Sequence, residues 1–117
     1  MQQIQLPPLN EGETYAFSIG DRRGELTHIV LLPGEHAGAS QPAQLAWAQS
    51  IGGDLPTLAE QALMREHCPD EFRPVAYWSN RNDGDGWAWY TYFDLGTQSN
   101  YRQGIKLPAR AVRRIKN

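Results

Sequence analysis

The sequence predicts an α+β domain in which two helices lie between an N-terminal β-hairpin and a C-terminal set of antiparallel strands. Three observations lead to this class. Apolar residues alternate near the start, two segments with helix caps follow, and nine of the twelve aromatic residues fall between Phe72 and Tyr101. With 117 residues, 40% of them hydrophobic and 21% charged, the composition predicts one folded domain over residues 1–117 and excludes a disordered chain.

The first predicted elements form a β-hairpin. Tyr15, Phe17 and Ile19 alternate along the first strand, and a turn at 20–24 separates them from a second strand over 25–32. Because side chains alternate between the faces of a strand, these three residues are expected on one face. Residues 35–39 are expected to form a short connection.

The two helices are predicted from their capping signals. The first begins after Ser40 and ends near Ile51, where two glycines provide a helix stop. The second begins at Thr57, whose spacing from Glu60 is that of a capping box, and it ends at Cys68 before a proline.

The remainder is predicted as strands and turns: Val75–Ser79, a polar turn at Asn80–Gly86, Trp87–Phe93, loops, and a last strand near Arg110–Ile115. In the aromatic strand, side-chain alternation separates two sets of residues, one of which is expected to face the core. The other set offers two tyrosines for a sugar or a protein, unless loops cover them. The sets are Trp87, Trp89 and Phe93 on one face, and Ala88, Tyr90 and Tyr92 on the other.

Charge is distributed unevenly along the chain. Residues 1–94 hold five Lys or Arg against thirteen Asp or Glu, whereas residues 95–117 hold six Lys or Arg and no acidic residue. The two blocks are expected to attract each other. Arginines alternate with apolar residues over 110–115, as in a strand with one polar face, and the chain is slightly acidic overall. Nucleic-acid binding is therefore not expected.

Metal, cofactor and catalytic sites are not expected. Asn82–Gly86 has the composition of a calcium loop, but an EF-hand alignment on Gly86 places Arg81 and Tyr92 at ligand positions, so a polar turn is the simpler interpretation, with another calcium loop left open. The three histidines and Cys68 lack zinc-ligand spacing. No nucleophile elbow, P-loop or dinucleotide motif is present, so we do not expect an enzyme.

The expected location is the cytoplasm of a bacterial host or a virion. Cys68 is the only cysteine, so no intramolecular disulfide can form, and a reducing compartment is compatible. The longest aliphatic run, Ile29–Leu32, is far shorter than a membrane span, and the first residues lack the pattern of a signal peptide. No membrane partner is expected.

An ordered set of short motifs covers residues 46–115: Ala46-Trp47-Ala48, Gly52-Gly53, Leu55-Pro56-Thr57 with Glu60, Tyr77-Trp78-Ser79, Ala88-Trp89-Tyr90, Gly96 and Arg110-Ala111-Val112-Arg113. With this set the chain resembles the Lcl C-terminal-like domain-of-unknown-function family, in particular its short stand-alone phage and prophage members. The resemblance implies a C-type-lectin-like fold in which these motifs are structural. The triplets that hold calcium and sugar in animal C-type lectins are absent.

We therefore expect a non-enzymatic, phage- or prophage-encoded binding module that recognises a host protein or a glycan. The binding residues are expected around the loops 80–86 and 96–104, where polar and aromatic side chains are in excess. The alternative is a virion structural or assembly protein that self-associates, and a third option is an early phage protein that disables a host factor. The oligomeric state stays open. The expected binding residues are Arg81, Asp83, Asp85, Tyr90, Tyr92 and Tyr101.

Overall fold

Three antiparallel sheets and two helices make up residues 5–117, the part of the chain that the computed structural model describes. The predicted α+β class is confirmed. The elements, in chain order, are β1 (Thr14–Gly20), β2 (Leu26–Leu31), β3 (His36–Ala39), α1 (Gln41–Ser50), α2 (Leu58–His67), β4 (Ala76–Asn82), β5 (Trp87–Tyr92), β6 (Gln98–Arg102), β7 (Leu107–Ala109) and β8 (Val112–Lys116). The sheets have the strand orders β1-β2-β8, β3-β7 and β4-β5-β6.

The predicted N-terminal hairpin is present, but a β-bulge changes the direction of one side chain. The register of β1 against β2 shifts between Tyr15 and Phe17. Phe17 and Ile19 pack against the core, whereas the Tyr15 hydroxyl lies 2.7 Å from Nδ1 of His28. The expectation that all three residues share a face is therefore wrong for Tyr15, because the extra residue in the bulge reverses the alternation.

Both helices begin where their capping residues predict. The Ser40 hydroxyl accepts a hydrogen bond from the Ala43 amide at 3.3 Å. In α2 the Thr57 hydroxyl accepts from the Glu60 amide at 3.0 Å, while a Glu60 carboxylate oxygen accepts from the Thr57 amide at 2.9 Å. The helix stop after α1 uses Gly52, whose φ of +82° favours glycine.

Three short strands lie in segments that were expected to be loops. β3 pairs with β7, and β6 occupies most of the segment 96–104. The two loop predictions are wrong there. The reason is that β3 and β7 contain glycine or proline and lack alternation, so tertiary pairing rather than local pattern defines them.

Two core clusters lie within the domain, and both include residues of the β4-β5-β6 sheet. One cluster joins the first sheet to α2, and the other joins α1 to the second half of the chain. Their buried residues are Ile29, Leu31, Met64, Cys68, Tyr77, Phe93 and Val112 in the first, and Leu32, Ala48, Leu55, Trp78, Ala88, Ala109 and Ala111 in the second. Two neighbouring residues of β4, Tyr77 and Trp78, thus enter different clusters.

This arrangement corrects the expected division of the aromatic strand. Ala88 is fully buried and Tyr90 packs beside it, while Thr91 and Phe93 are buried on the opposite face. Trp87, which was grouped with Phe93, is 38% exposed. Each face of β5 is therefore core at one end only, because different elements cover its two ends.

The acidic and basic blocks of the sequence do attract each other. Arg113 donates two hydrogen bonds to the Glu13 carboxylate, each at 2.8 Å. Arg114 binds the carboxylates of Asp54 and Glu60, with closest distances of 2.7 Å. The arginines of β8 are used within the fold, but Arg113 and Arg114 are consecutive in the strand and therefore lie on opposite faces, so the expectation of one polar face is wrong.

Candidate functional site

The tip of the β4–β5 hairpin and the adjoining end of β6 carry a set of aromatic and charged side chains, all exposed except the half-buried Trp89. We call this set the hairpin surface and define it as Arg81, Asp83, Trp87, Trp89 and Arg102. Cross-strand register places Trp87 beside Arg102, so these two side chains share a face of the sheet.

Asparagine, aspartate and glycine residues shape the turn that supports this surface. The Asn82 side-chain oxygen accepts a hydrogen bond from the Gly84 amide at 2.7 Å, and an Asp85 oxygen accepts from the Trp87 amide at 3.2 Å. Gly84 and Gly86 have φ values of +79° and +95°, which glycine adopts without strain. The predicted polar turn is therefore present, but β4 extends to Asn82 and shortens it.

The side chains of the hairpin surface hold one another in position. The Arg81 guanidinium lies 4.7 Å from the centroid of the Trp89 ring, and its Nε is 3.5 Å from an Asp83 oxygen. The Trp89 indole donates to the other Asp83 oxygen at 2.9 Å. The Arg102 guanidinium lies 5.7 Å from the ring centroid of Trp87. Two cation–π pairs, one of them completed by a carboxylate, thus reach solvent in a fixed arrangement.

The expected binding residues do not form a single surface. Arg81 and Asp83 are in contact, as described above. Tyr90 and Tyr101 belong to register pairs on the opposite face of β5 from Trp87. Tyr90 is half-buried with its ring edge-on to Trp78 at 6.3 Å, whereas Tyr92 and Tyr101 are 37% and 48% exposed.

Sequence reasoning missed Trp87, Trp89 and Arg102 as surface residues. The two tryptophans were expected to be core because they alternate with Phe93. The available signal was the position of Trp87 directly after the turn glycine, at the tip of a hairpin. The partner of Trp87 on β6 depends on register, which the sequence did not reveal.

A second polar cluster joins two loops to β4 beside the first core cluster. Glu35 accepts hydrogen bonds from the Tyr77 hydroxyl and from the Arg73 guanidinium, whose Nε lies at 2.8 Å. Burial raises the pKa of Glu35, but these hydrogen bonds outweigh it and the pKa is lowered. Burial and the Glu35 hydrogen bond raise the pKa of Tyr77. The three side chains form hydrogen bonds with one another, so we interpret the cluster as structural.

A groove of about 480 Å³ lies between the end of the first hairpin and β8. Its lining includes Glu60 and Arg114, which are already paired with each other. Within residues 5–117, no three His, Cys, Asp or Glu side chains are placed to hold a metal ion. In the same range, no helix has the length and apolar character needed to cross a membrane.

Comparison with protein-family models, with curated proteins and with solved structures finds no match for this chain.

Proposed function

We propose that this chain is a non-enzymatic binding module that recognises a partner protein through the hairpin surface. The observation that carries the proposal is the pair of Arg–Trp stacks at the surface, Arg81 on the half-buried Trp89 and Arg102 on the exposed Trp87. Tryptophan and arginine are the residue types that most often dominate the binding energy of protein interfaces. Rings and guanidinium groups that are already fixed lose little conformational entropy on binding.

The geometry favours a protein over a glycan as the partner. A sugar ring stacks on an open aromatic face, but on each of these indoles a guanidinium already occupies one face. The same guanidinium groups retain N–H donors that suit carboxylates and backbone carbonyls of a protein. Glycan binding is consequently one outcome of the test below and not the proposal.

The C-type-lectin-like fold and a phage or prophage origin are part of the same proposal. The packing of the motif residues supports it, because they serve structural roles. Trp78 is fully buried and donates its indole N–H to the carbonyl oxygens of Ala39 and Ile105, at 3.1 and 3.2 Å. Thr57 and Glu60 form the cap of α2. A host protein in the bacterial cytoplasm is the partner that this origin implies.

The test compares two double variants on opposite faces of β5 and β6. Immobilised wild type, Trp87→Ala/Arg102→Ala and Tyr92→Ala/Tyr101→Ala are each exposed to bacterial lysate and to a glycan array. We expect wild type and the tyrosine variant to enrich the same protein, and the Trp87/Arg102 variant to lose it at least tenfold.

Two outcomes would contradict the proposal. Equal enrichment by all three proteins would show that the hairpin surface is not the binding site. Binding of wild type to a glycan, with no protein enriched, would show that the ligand is a glycan and not a protein. Far-UV circular dichroism of each variant confirms that the fold is retained.

A further inference from the structure

The two edges of the β4-β5-β6 sheet differ in how they are covered. At the β4 edge, Gln61 donates from its side-chain amide to the carbonyl oxygens of Tyr77 and Trp78, at 3.2 and 3.1 Å. Gln41 donates to the carbonyl oxygen of Ser79 at 3.1 Å. Side chains of both helices thus donate hydrogen bonds to the backbone carbonyl oxygens of β4.

The β6 edge leaves backbone groups facing outward. The Tyr92 amide donates to the Thr97 carbonyl and the Gln103 amide donates to the Gly86 carbonyl, both at 2.8 Å. In an antiparallel pair only alternate residues bond to the neighbouring strand. Gln98, Asn100 and Arg102 therefore direct their N–H and C=O groups away from β5. One of these groups, the Arg102 carbonyl, already accepts a hydrogen bond from the Ile105 amide at 3.0 Å. Among the described residues, no further strand pairs with β6.

The usual protections of an edge strand are missing from β6. Monomeric proteins cover edges or interrupt them with bulges, prolines or charges in the strand. β1, at the edge of the first sheet, contains the bulge near Tyr15, whereas the β5–β6 register has no irregularity. The β6 segment, Gln98-Ser99-Asn100-Tyr101-Arg102, has no proline and a single charge at its end.

We propose that β6 pairs antiparallel with β6 of a second copy of this chain, around a twofold axis at Asn100. In this register Asn100 faces Asn100 of the second copy, and Gln98 faces Arg102 in both directions. Asn100 then pairs reciprocally with its copy, and the Arg102 amide donates to the Gln98 carbonyl of the other strand. The Gln98 amide uses the second lone pair of the Arg102 carbonyl, whose first is taken by the Ile105 amide. The two sheets become one continuous sheet.

Charge favours this register over the other antiparallel ones. Centring the pair on Arg102 would place like charges directly opposite each other, which destabilises a strand pair. A shift by two residues leaves one outward residue of each strand without a partner. The register centred on Asn100 separates the two Arg102 side chains and sets each against a neutral glutamine.

The interface is small, because one edge strand of each copy forms it. Interfaces of this size are typical of weak, concentration-dependent association. The dimer presents two hairpin surfaces on one sheet, so a partner with repeated sites would be bound more tightly than by one copy. Self-pairing is also the property that the alternative function, a virion assembly protein, requires.

The test uses the twofold axis itself. Sedimentation velocity at millimolar protein concentration measures the mass of wild type, Asn100→Glu, Asn100→Lys and an equimolar mixture of the two variants. We expect wild type to approach twice the monomer mass of 13.2 kDa. Each variant alone should stay monomeric because like charges oppose each other, and the mixture should regain the dimer because the charges are then opposite.

The matched controls are Gln49→Glu and Gln49→Lys, on the exposed surface of α1, which should dimerise like wild type. Wild type that stays at 13.2 kDa would overturn the proposal and leave the edge to an extended peptide of another protein. Dimeric single variants, or a mixture that stays monomeric, would overturn the register centred on Asn100.

Discussion

The Glu60 carboxylate binds the Arg114 guanidinium through both of its oxygens. Oε2 accepts a hydrogen bond from Nε and Oε1 accepts one from Nη2, each at 2.7 Å. The same carboxylate completes the cap of α2 by accepting from the Thr57 amide. Asp54 accepts a further hydrogen bond from Arg114 at 2.7 Å. One buried carboxylate thus joins the start of the second helix to the last strand, and these hydrogen bonds raise the pKa of Arg114.

Replacement of Arg114 should leave the Glu60 charge buried without its partner. The Glu60 side chain is only 6% exposed and that of Arg114 is 29% exposed. We expect Arg114→Met to lower the free energy of unfolding by about 2–3 kcal/mol, somewhat less than for a fully buried pair. Urea denaturation at neutral pH measures the change.

Arg81→Met is the matched control for Arg114→Met, because the Arg81 side chain is 58% exposed and its ion pair with Asp83 is longer, at 3.5 Å. Its urea midpoint should stay close to that of wild type. Equal midpoints for the two variants would contradict the structural importance of the Glu60–Arg114 pair.

Acid should destabilise the fold through two carboxylates. Hydrogen bonds from Arg113 lower the pKa of Glu13, and hydrogen bonds from Arg73 and Tyr77 lower that of Glu35 against the effect of burial. A carboxyl group whose pKa is lower in the folded state than its ordinary value of 4.5 stabilises the fold when the pH is above 4.5. This stabilisation is lost as the pH falls through the pKa of the folded state.

Urea denaturation from neutral pH to below pH 4.5 tests this dependence. We expect the wild-type free energy of unfolding to fall below that pH. Glu13→Gln/Glu35→Gln should be less stable at neutral pH and should lose less on acidification. Glu66→Gln, an exposed position of α2, should follow wild type. Parallel wild-type and double-variant curves would exclude these two groups as the cause.

Cys68 should react slowly in the folded protein. Its side chain is buried, and burial together with the negative charges of Glu71 and Asp70 raises the pKa of the thiol. The thiolate is the reactive form, so alkylation near pH 8 requires both exposure and ionisation that the fold opposes. Mass spectrometry after iodoacetamide treatment should show at least tenfold slower modification than in urea, and equal rates would refute this.

The sequence predicted the elements whose signals are local. Ser40 and Thr57 cap their helices through side chains that lie within three residues of the amides they bind. The hairpin strands follow from alternation. By contrast, β3 and β7 form because distant backbone segments meet, and the bulge near Tyr15 reverses a face without any glycine or proline to indicate it.

For the candidate site too, the sequence predicted only the residues that lie close together in the chain. Arg81 and Asp83 lie in the turn that the sequence identified. Trp87 joins them with Arg102 because of the β5–β6 register, and a strand over 98–102 was not expected. The buried glutamines of the helices were also missed, because polar residues are usually exposed and their partners are carbonyl groups of distant strands.

Gln61 is the buried polar residue whose loss should be most informative. It lies in α2 with 1% exposure and donates to the carbonyl oxygens of Tyr77 and Trp78, while its own oxygen accepts from the Thr91 hydroxyl at 2.6 Å. Gln61→Met keeps the approximate volume but leaves these groups unsatisfied. We expect the free energy of unfolding to fall by about 3 kcal/mol, measured by urea denaturation.

Gln61→Glu separates lost hydrogen bonding from altered packing. At neutral pH its buried carboxylate cannot donate to the carbonyl oxygens of β4, so we expect it to be at least as unstable as Gln61→Met. As the pH falls, the protonated acid regains a donor, and the difference from wild type at the same pH should narrow. Gln49→Glu, at an exposed position of α1, should show no such convergence. A difference for Gln61→Glu that stays constant with pH would mean that packing, and not the bonds to β4, sets the stability at this position.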